Sequence, residues 1–184
     1  MADRIALLGW GSLLWEGGAE FDQWHDPWQS DGPILNIEFS RVSRRRRGAL
    51  TLVIDPENGV PVRSAWCLSL RQTIEDAAED LRRREETAAK KIGLVRPRTT
   101  ATAGRSEGIE AIRTWAKEKD LDGVAWTDLQ SNFAASVGVP FSVAAALRYL
   151  NGLDGEALKG AQEYFERAPA FVQTPLRDAV MAQM

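Results

Sequence analysis

The sequence predicts an α+β fold: about six mostly short strands forming a small mixed β-barrel, closed or nearly so, with flanking helices and a helical C-terminal tail. Three observations lead there. Apolar and polar residues alternate with period two over residues 35–40 and 60–70, a helical period governs the segment after Thr73, and three capped helical segments follow one another from Ser142. Helices that are grouped, instead of alternating one for one with strands, favour α+β over a wound parallel sheet. With 184 residues the chain is read as a single domain, residues 1–135 carrying the barrel and its long helix and 142–184 a helical extension.

The first element is the run IALLGWGSLLW at residues 5–15, whose apolar first half reads as a buried strand. Gly9 and Gly11 break it where the backbone turns sharply or comes close to something, and such a loop can aim backbone N–H groups at one anionic atom. An ordinary turn is the other reading of the same residues. A dinucleotide fingerprint is excluded, because GWGSLL lacks the third glycine and runs into Trp15-Glu16-Gly17-Gly18 instead of a helix. Asp3 offsets Arg4 and the apolar run is interrupted, which argues against a secretory signal.

Residues 16–33, rich in Gly, Asp and Trp, read as an irregular loop with Trp24 and Trp28 tucked in. Leu35, Ile37 and Phe39 face one way along a half-buried strand and Asn36, Glu38 and Ser40 the other. Residues 49–54 form the next strand, and Asp55-Pro56-Glu57-Asn58-Gly59 is a turn. With a further strand over 60–70, the three suggest an antiparallel meander. Thr73 then caps the longest helix with Asp76 as capping-box partner, and the helix is expected to reach Lys90-Lys91 and stop at Gly93. Residues 94–102 look like an edge strand because of Pro97. Ser106 caps a helix to Lys119, residues 123–129 form the sixth strand, and helices follow over 142–149, 154–168 and 174–184.

Composition closes several functional classes. Hydrophobic residues make up 44% and charged residues 27%, and no apolar run approaches the roughly 20 residues of a membrane span. A cytoplasmic protein is the expectation. One cysteine, Cys67, permits no intrachain disulfide or cysteine cluster, and one histidine, His25, permits no two-histidine zinc site. Chemistry resting on carboxylates and backbone is the expectation. The net charge of −3 argues against a general polyanion binder, with Arg44, Arg45, Arg46 and Arg47 as the local exception.

The most informative pattern lies on the long helix. Steps of four and three give Ile74, Ala78, Leu81, Glu85, Ala88 and Ile92, an apolar stripe interrupted only by Glu85. Glu86 is turned about 100° away and joins the solvated Glu79, Arg82 and Arg83. Two readings stand. Either Glu85 sits at the margin of the stripe or pairs with a nearby arginine, or it is a desolvated general base whose burial lifts it from about 4.3 toward neutrality.

The GWGSL loop after a first strand, together with Leu81-Arg82-Arg83-Arg84-Glu85 after a small β region, resembles the gamma-glutamylcyclotransferase-like superfamily, most of all its ChaC-like members. Their loop reads GYGSL and their catalytic glutamate lies in an LxxRE-like segment. The resemblance covers roughly residues 5–129. It implies a small barrel fold, Glu85 as catalytic base, and Trp10, Gly11, Ser12 and Leu13 as the substrate-binding loop. It implies a cofactor-independent cyclotransferase: the α-amine of a γ-glutamyl amine or peptide attacks its own side-chain carbonyl, closing 5-oxoproline and releasing the amine. Trp10 replaces the family's tyrosine, and an indole donates but cannot accept a hydrogen bond. That implies a substrate pocket that differs there, or lost activity.

Other candidates are weaker in chemistry. Ser12 lies outside a G-x-S-x-G elbow and reads as a loop cap or substrate contact, Cys67 as a structural thiol, His25 as loop packing, and Asn132 as a substrate hydrogen-bond candidate without a motif. A second class of function stays open: a non-catalytic module of the same fold contacting RNA or acidic ligands through Arg44–Arg47. The expected partner otherwise is a small γ-glutamyl substrate, with neither membrane nor nucleic acid.

Overall fold

The structure, a computed structural model, describes residues 3–99, 102–103 and 108–183. In chain order these form β1 (Ile5–Gly9), a 3-10 turn (Ser12–Leu14), α1 (Ala19–Asp22), β2 (Ile34–Ser43), β3 (Ala49–Ile54), β4 (Val60–Arg63), β5 (Ala65–Leu68), α2 (Ile74–Arg84), a second 3-10 turn (Ala89–Lys91) and β6 (Ile92–Val95). They continue with β7 (Thr102–Ala103), α3 (Ile109–Glu118), β8 (Gly123–Thr127), α4 (Phe133–Val137), α5 (Val143–Asn151), α6 (Gly155–Arg167) and α7 (Pro175–Met181). The class is α+β. The barrel is not found: among the described residues the strands make two separate sheets, one of five strands and one of three. The residues divide into two compact units, Met1–Leu35 with Arg63–Leu129, and Asn36–Val62 with Gln130–Met184.

The first unit holds the five-stranded sheet, in the order β5-β1-β8-β6-β7. β1 runs antiparallel to β5 and parallel to β8, and each of its residues is buried, which explains its unbroken apolar run. One face carries Ile5, Leu7, Cys67 and Ala125 under Ile74, Ala77, Ala78 and Leu81 of α2, with Leu13 and Phe21 in the same cluster. Trp66 alternates with Cys67 onto the other face, where it meets Trp115 of α3 edge-on at 5.3 Å. The Trp126 indole lies so close over Gly93, its antiparallel neighbour, that a Cβ there would stand 2.1 Å from Cε2.

Thr73 caps α2 as predicted, its hydroxyl accepting from Asp76 N at 3.2 Å and donating to the Asp76 carboxylate at 2.7 Å. The helix does not reach Lys91. Glu86 takes a left-handed φ of 47°, Thr87 N bonds the Arg82 carbonyl and Glu86 N the Arg83 carbonyl, the two bonds of a Schellman ending. Ala88 is therefore exposed, and Ile92 is buried as a strand residue of β6, not as part of a helical stripe. Ser106, expected to cap α3, lies outside the described residues, as do residues 100 and 101 of the expected 94–102 strand.

The stretch 60–70 is two strands, not one. Ser64, fully buried, interrupts it by bonding the Pro33 carbonyl through both its N–H and its hydroxyl, so β4 joins the three-stranded sheet and β5 the five-stranded one. The three-stranded sheet has the order β3-β2-β4, so the expected meander is absent: consecutive β3 and β4 are separated by β2. The 55–59 turn is as its chemistry predicts, with the Asp55 carboxylate accepting from Glu57 N and Asn58 N at 3.1 Å.

In the second unit both faces of β2 are covered near its centre. Phe39 stacks on Phe165 of α6 at 4.2 Å, while Glu38 and Ser40, expected on a solvated face, are 1% and 0% exposed. Glu38 accepts from Phe39 N at 2.7 Å and from the hydroxyl of Thr174, the N-cap of α7, at 2.5 Å. Ser142 and Thr174 cap α5 and α7 as the sequence predicts, and Tyr149 of α5 donates to the Gly48 carbonyl at 2.7 Å.

Candidate functional site

Glu85 and the Trp10–Leu13 loop fall within the first unit, Arg44–Arg47 and Asn132 within the second. After β1 the chain leaves the sheet through Gly9, where a Cβ would come within 3.0 Å of the Trp28 ring, so the loop is drawn in against Trp28. Trp10 is 6% exposed and Leu13 7% exposed, and the Leu13 side chain belongs to the core under α2. Both side chains are thus withdrawn from solvent, while Gly11 and Ser12 are partly exposed. From Ser12 the backbone makes one 3-10 turn, with Leu14 N on the Gly11 carbonyl at 3.0 Å and Glu16 N on the Ser12 carbonyl at 2.7 Å. The N–H groups of Ser12 and Leu13 stand in the opening turn, where no earlier helical carbonyl is in reach.

Glu85 is not on a buried stripe. It is the C-cap of α2, its side chain is 18% exposed, and Arg84 Nη1 lies 3.7 Å from Oε1. The helix ends one residue earlier, so Glu85 stands at the helix margin beside the Arg84 guanidinium and not in line with Ile74, Ala78 and Leu81. Arg82 and Arg83 turn instead to the surface carboxylate of Glu79, at 2.6 and 2.9 Å, and hold it well below the usual range, at about 2.

What joins loop and helix is Arg84, which sequence reasoning missed. Its Nη2 donates to the Glu16 carbonyl, the residue whose N–H closes the turn onto Ser12. A chain of contacts thus runs from the Ser12 carbonyl through Glu16 and Arg84 to the Glu85 carboxylate. The sequence signal was present: Arg84 is the fourth residue of LRRRE, and only its position one step before Glu85 sets it apart from Arg82 and Arg83.

The remaining candidates have local duties. His25, side chain 8% exposed, lies between Phe21 and Trp28 at 4.8 and 5.4 Å. Its Nδ1 is 2.7 Å from the Asp26 carbonyl, which can only accept, so Nδ1 carries a proton, and Nε2 faces Asp22 at 3.5 Å. Burial pushes the Cys67 thiol far up, the state of an inert structural cysteine. Asn132 holds the backbone of Val42 through its amide, accepting from N at 2.7 Å and donating to O at 3.1 Å. Among the described residues no group of three His, Cys, Asp or Glu side chains is placed to hold a metal ion, and no helix is long and apolar enough to cross a membrane.

A second carboxylate was missed altogether. Burial pushes Glu38 upward, opposed by its bonds from Thr174 and from backbone N–H groups, with Asp55 adding to the rise. Its partner Thr174 lies 136 residues away, so no local pattern marks it. A scan with protein-family models and searches of curated proteins and of solved structures give no match to this chain.

Proposed function

We propose that the chain is a gamma-glutamylcyclotransferase-like enzyme, converting a γ-glutamyl amine or peptide into 5-oxoproline and the free amine with Glu85 as its base. One observation carries the reading. The two segments of the resemblance, the Gly9–Trp10–Gly11–Ser12–Leu13 loop and the LRRRE helix end, are far apart in sequence yet joined through Arg84 between the Glu16 carbonyl and Glu85.

The chemistry asks little else of the chain. A γ-glutamyl α-amine, with a free value of about 8, is mostly ammonium at neutral pH and has no lone pair until it gives up a proton. Ionised Glu85 accepts that proton, and the amine nitrogen attacks the side-chain carbonyl carbon. The carbonyl electron pair moves onto oxygen, where the N–H groups of Gly11, Ser12 and Leu13 are the donors, each preorganised donor being worth about 3 kcal/mol. The oxyanion collapses and the C–N bond to the leaving amine breaks as Glu85 returns the proton to that nitrogen. The excess proton on the ring nitrogen then passes to the Glu85 carboxylate and on to the released amine, leaving the neutral lactam and a free ammonium. The test is a panel of γ-glutamyl amines and peptides assayed for 5-oxoproline. Formation from at least one supports the reading, and a wholly inert panel removes it.

A second reading is favoured by one feature of the other unit. Arg44, Arg45 and Arg47 are exposed on the turn between β2 and β3, and Arg46 lies 4.9 Å over the Tyr164 ring, a basic tip suited to phosphates or acidic ligands. Salt-sensitive RNA binding lost on replacing the four arginines by alanine, with the panel inert, favours this binding module.

A further inference from the structure

We propose that Arg84 is a positioning residue for Glu85, fixing the carboxylate by its Oε1 edge to the end of the substrate loop; this rests on the cyclotransferase reading. The argument starts from where Glu85 sits. It caps the C-terminus of α2, where the helix macrodipole is negative, so a carboxylate there is repelled unless a cation is held beside it. Two arginines of the same helix do not serve. Arg82 is held by Glu79 and the Thr87 carbonyl, and Arg83, 60% exposed, also turns to Glu79. Glu86, the other charged group next along the chain, has left the helix through its left-handed backbone.

Arg84 differs from both in being nine-tenths buried, with 10% of its side chain exposed. Taking a guanidinium out of water costs several kcal/mol, and a good bidentate pair is what normally offsets it. Arg84 has no such pair. Nη1 stands 3.7 Å from Glu85, Nη2 is given to a backbone carbonyl, and Nε is buried with no hydrogen-bond partner. An orphaned buried N–H is itself costly. Such an arrangement returns little stability, but it sets geometry: one planar group fixed at the Glu16 carbonyl dictates where the neighbouring carboxylate can lie.

Arg84→Gln and Arg84→Lys test the inference with two readouts. The first is the titration of the Glu85 side-chain carboxyl by 13C NMR, assigned by its loss in Glu85→Gln and read without any substrate. Loss of the cation moves the Glu85 midpoint to higher pH in Arg84→Gln, and Arg84→Lys, which keeps a charge, moves it less. The second is 5-oxoproline formation by the full-length chain. Arg84→Gln is expected to lower kcat about 10- to 100-fold with KM within about twofold, to move the acid limb of the rate profile up in pH, and to regain activity with millimolar guanidinium ion. Three results overturn the inference: an unmoved Glu85 titration in both variants, a raised KM at constant kcat, which makes Arg84 a substrate contact, or a kcat loss that follows unfolding and resists guanidinium. If wild type forms no 5-oxoproline yet the titration moves, the coupling of Arg84 to Glu85 stands and the cyclotransferase reading falls.

Discussion

Replacing Thr174 by valine tests the packing of the second unit at a buried polar joint. The Thr174 hydroxyl does two things at once: it accepts from Arg177 N at 3.3 Å as the cap of α7, and it donates to the buried Glu38 carboxylate at 2.5 Å. Valine keeps the shape, so no cavity is added. Loss of a cap costs about 1 kcal/mol, and loss of a hydrogen bond to a buried charge about 1.5–3 kcal/mol, so the variant should be roughly 3 kcal/mol less stable at pH 8. The deficit should also depend on pH. Glu38 is raised in the folded chain, so folding takes up a proton, and stability falls as pH rises from the unfolded carboxyl value of about 4.3 through the raised folded value. The Thr174 bond lowers that folded value, so removing it extends the loss to higher pH and the deficit grows between pH 5 and pH 8. All seven tryptophans lie outside this unit, at residues 10–126, so fluorescence is the wrong probe. Urea unfolding by far-UV circular dichroism, with hydrogen exchange of residues 174–183, reads it. A deficit under about 1 kcal/mol, or one equal at both pH values, or Thr174→Ser no better than valine, refutes the reasoning.

Three further outcomes are expected. Gly93→Ala drives a Cβ to 2.1 Å from the buried Trp126 ring and should cost about 3 kcal/mol or more, read by tryptophan fluorescence in urea; a neutral result contradicts the register of β6 on β8. Glu86→Gly relieves a left-handed residue and should raise stability by about 0.5–1 kcal/mol, whereas any loss argues against the Schellman ending of α2. Cys67, 0% exposed with its thiol pushed upward, should react with iodoacetamide at least about 100-fold more slowly in native protein than in urea, and comparable rates would contradict its burial.

Local chemistry made much of the structure readable, and distant pairing hid the rest. β1, the 55–59 turn and the caps at Thr73, Ser142 and Thr174 are written in neighbouring residues, and each is found. The end of α2 was not legible because its left-handed residue is Glu86, while the nearest glycine, Gly93, lies in β6; the stop was therefore placed too late and Glu85 on a stripe it does not join. The barrel was inferred from strand number, but Ser64 hands the chain from one sheet to another by pairing with Pro33, 31 residues earlier. Glu38 reads as a solvated alternate because its cover comes from α7, and Arg84 looks like two neighbouring arginines until the Glu16 carbonyl is seen beside it.

The measurement that bears most directly on the central claim compares Glu85→Gln with Glu86→Gln in 5-oxoproline release from whichever γ-glutamyl substrate wild type turns over. The two residues are adjacent and equal in charge, but Glu85 lies 3.7 Å from Arg84, which bonds the Glu16 carbonyl at the end of the loop, whereas Glu86 has turned out of the helix at a left-handed φ. Removal of the base should lower release about 10²–10⁴-fold in Glu85→Gln and leave Glu86→Gln within about twofold of wild type; equal activity in the two variants contradicts the role given to Glu85.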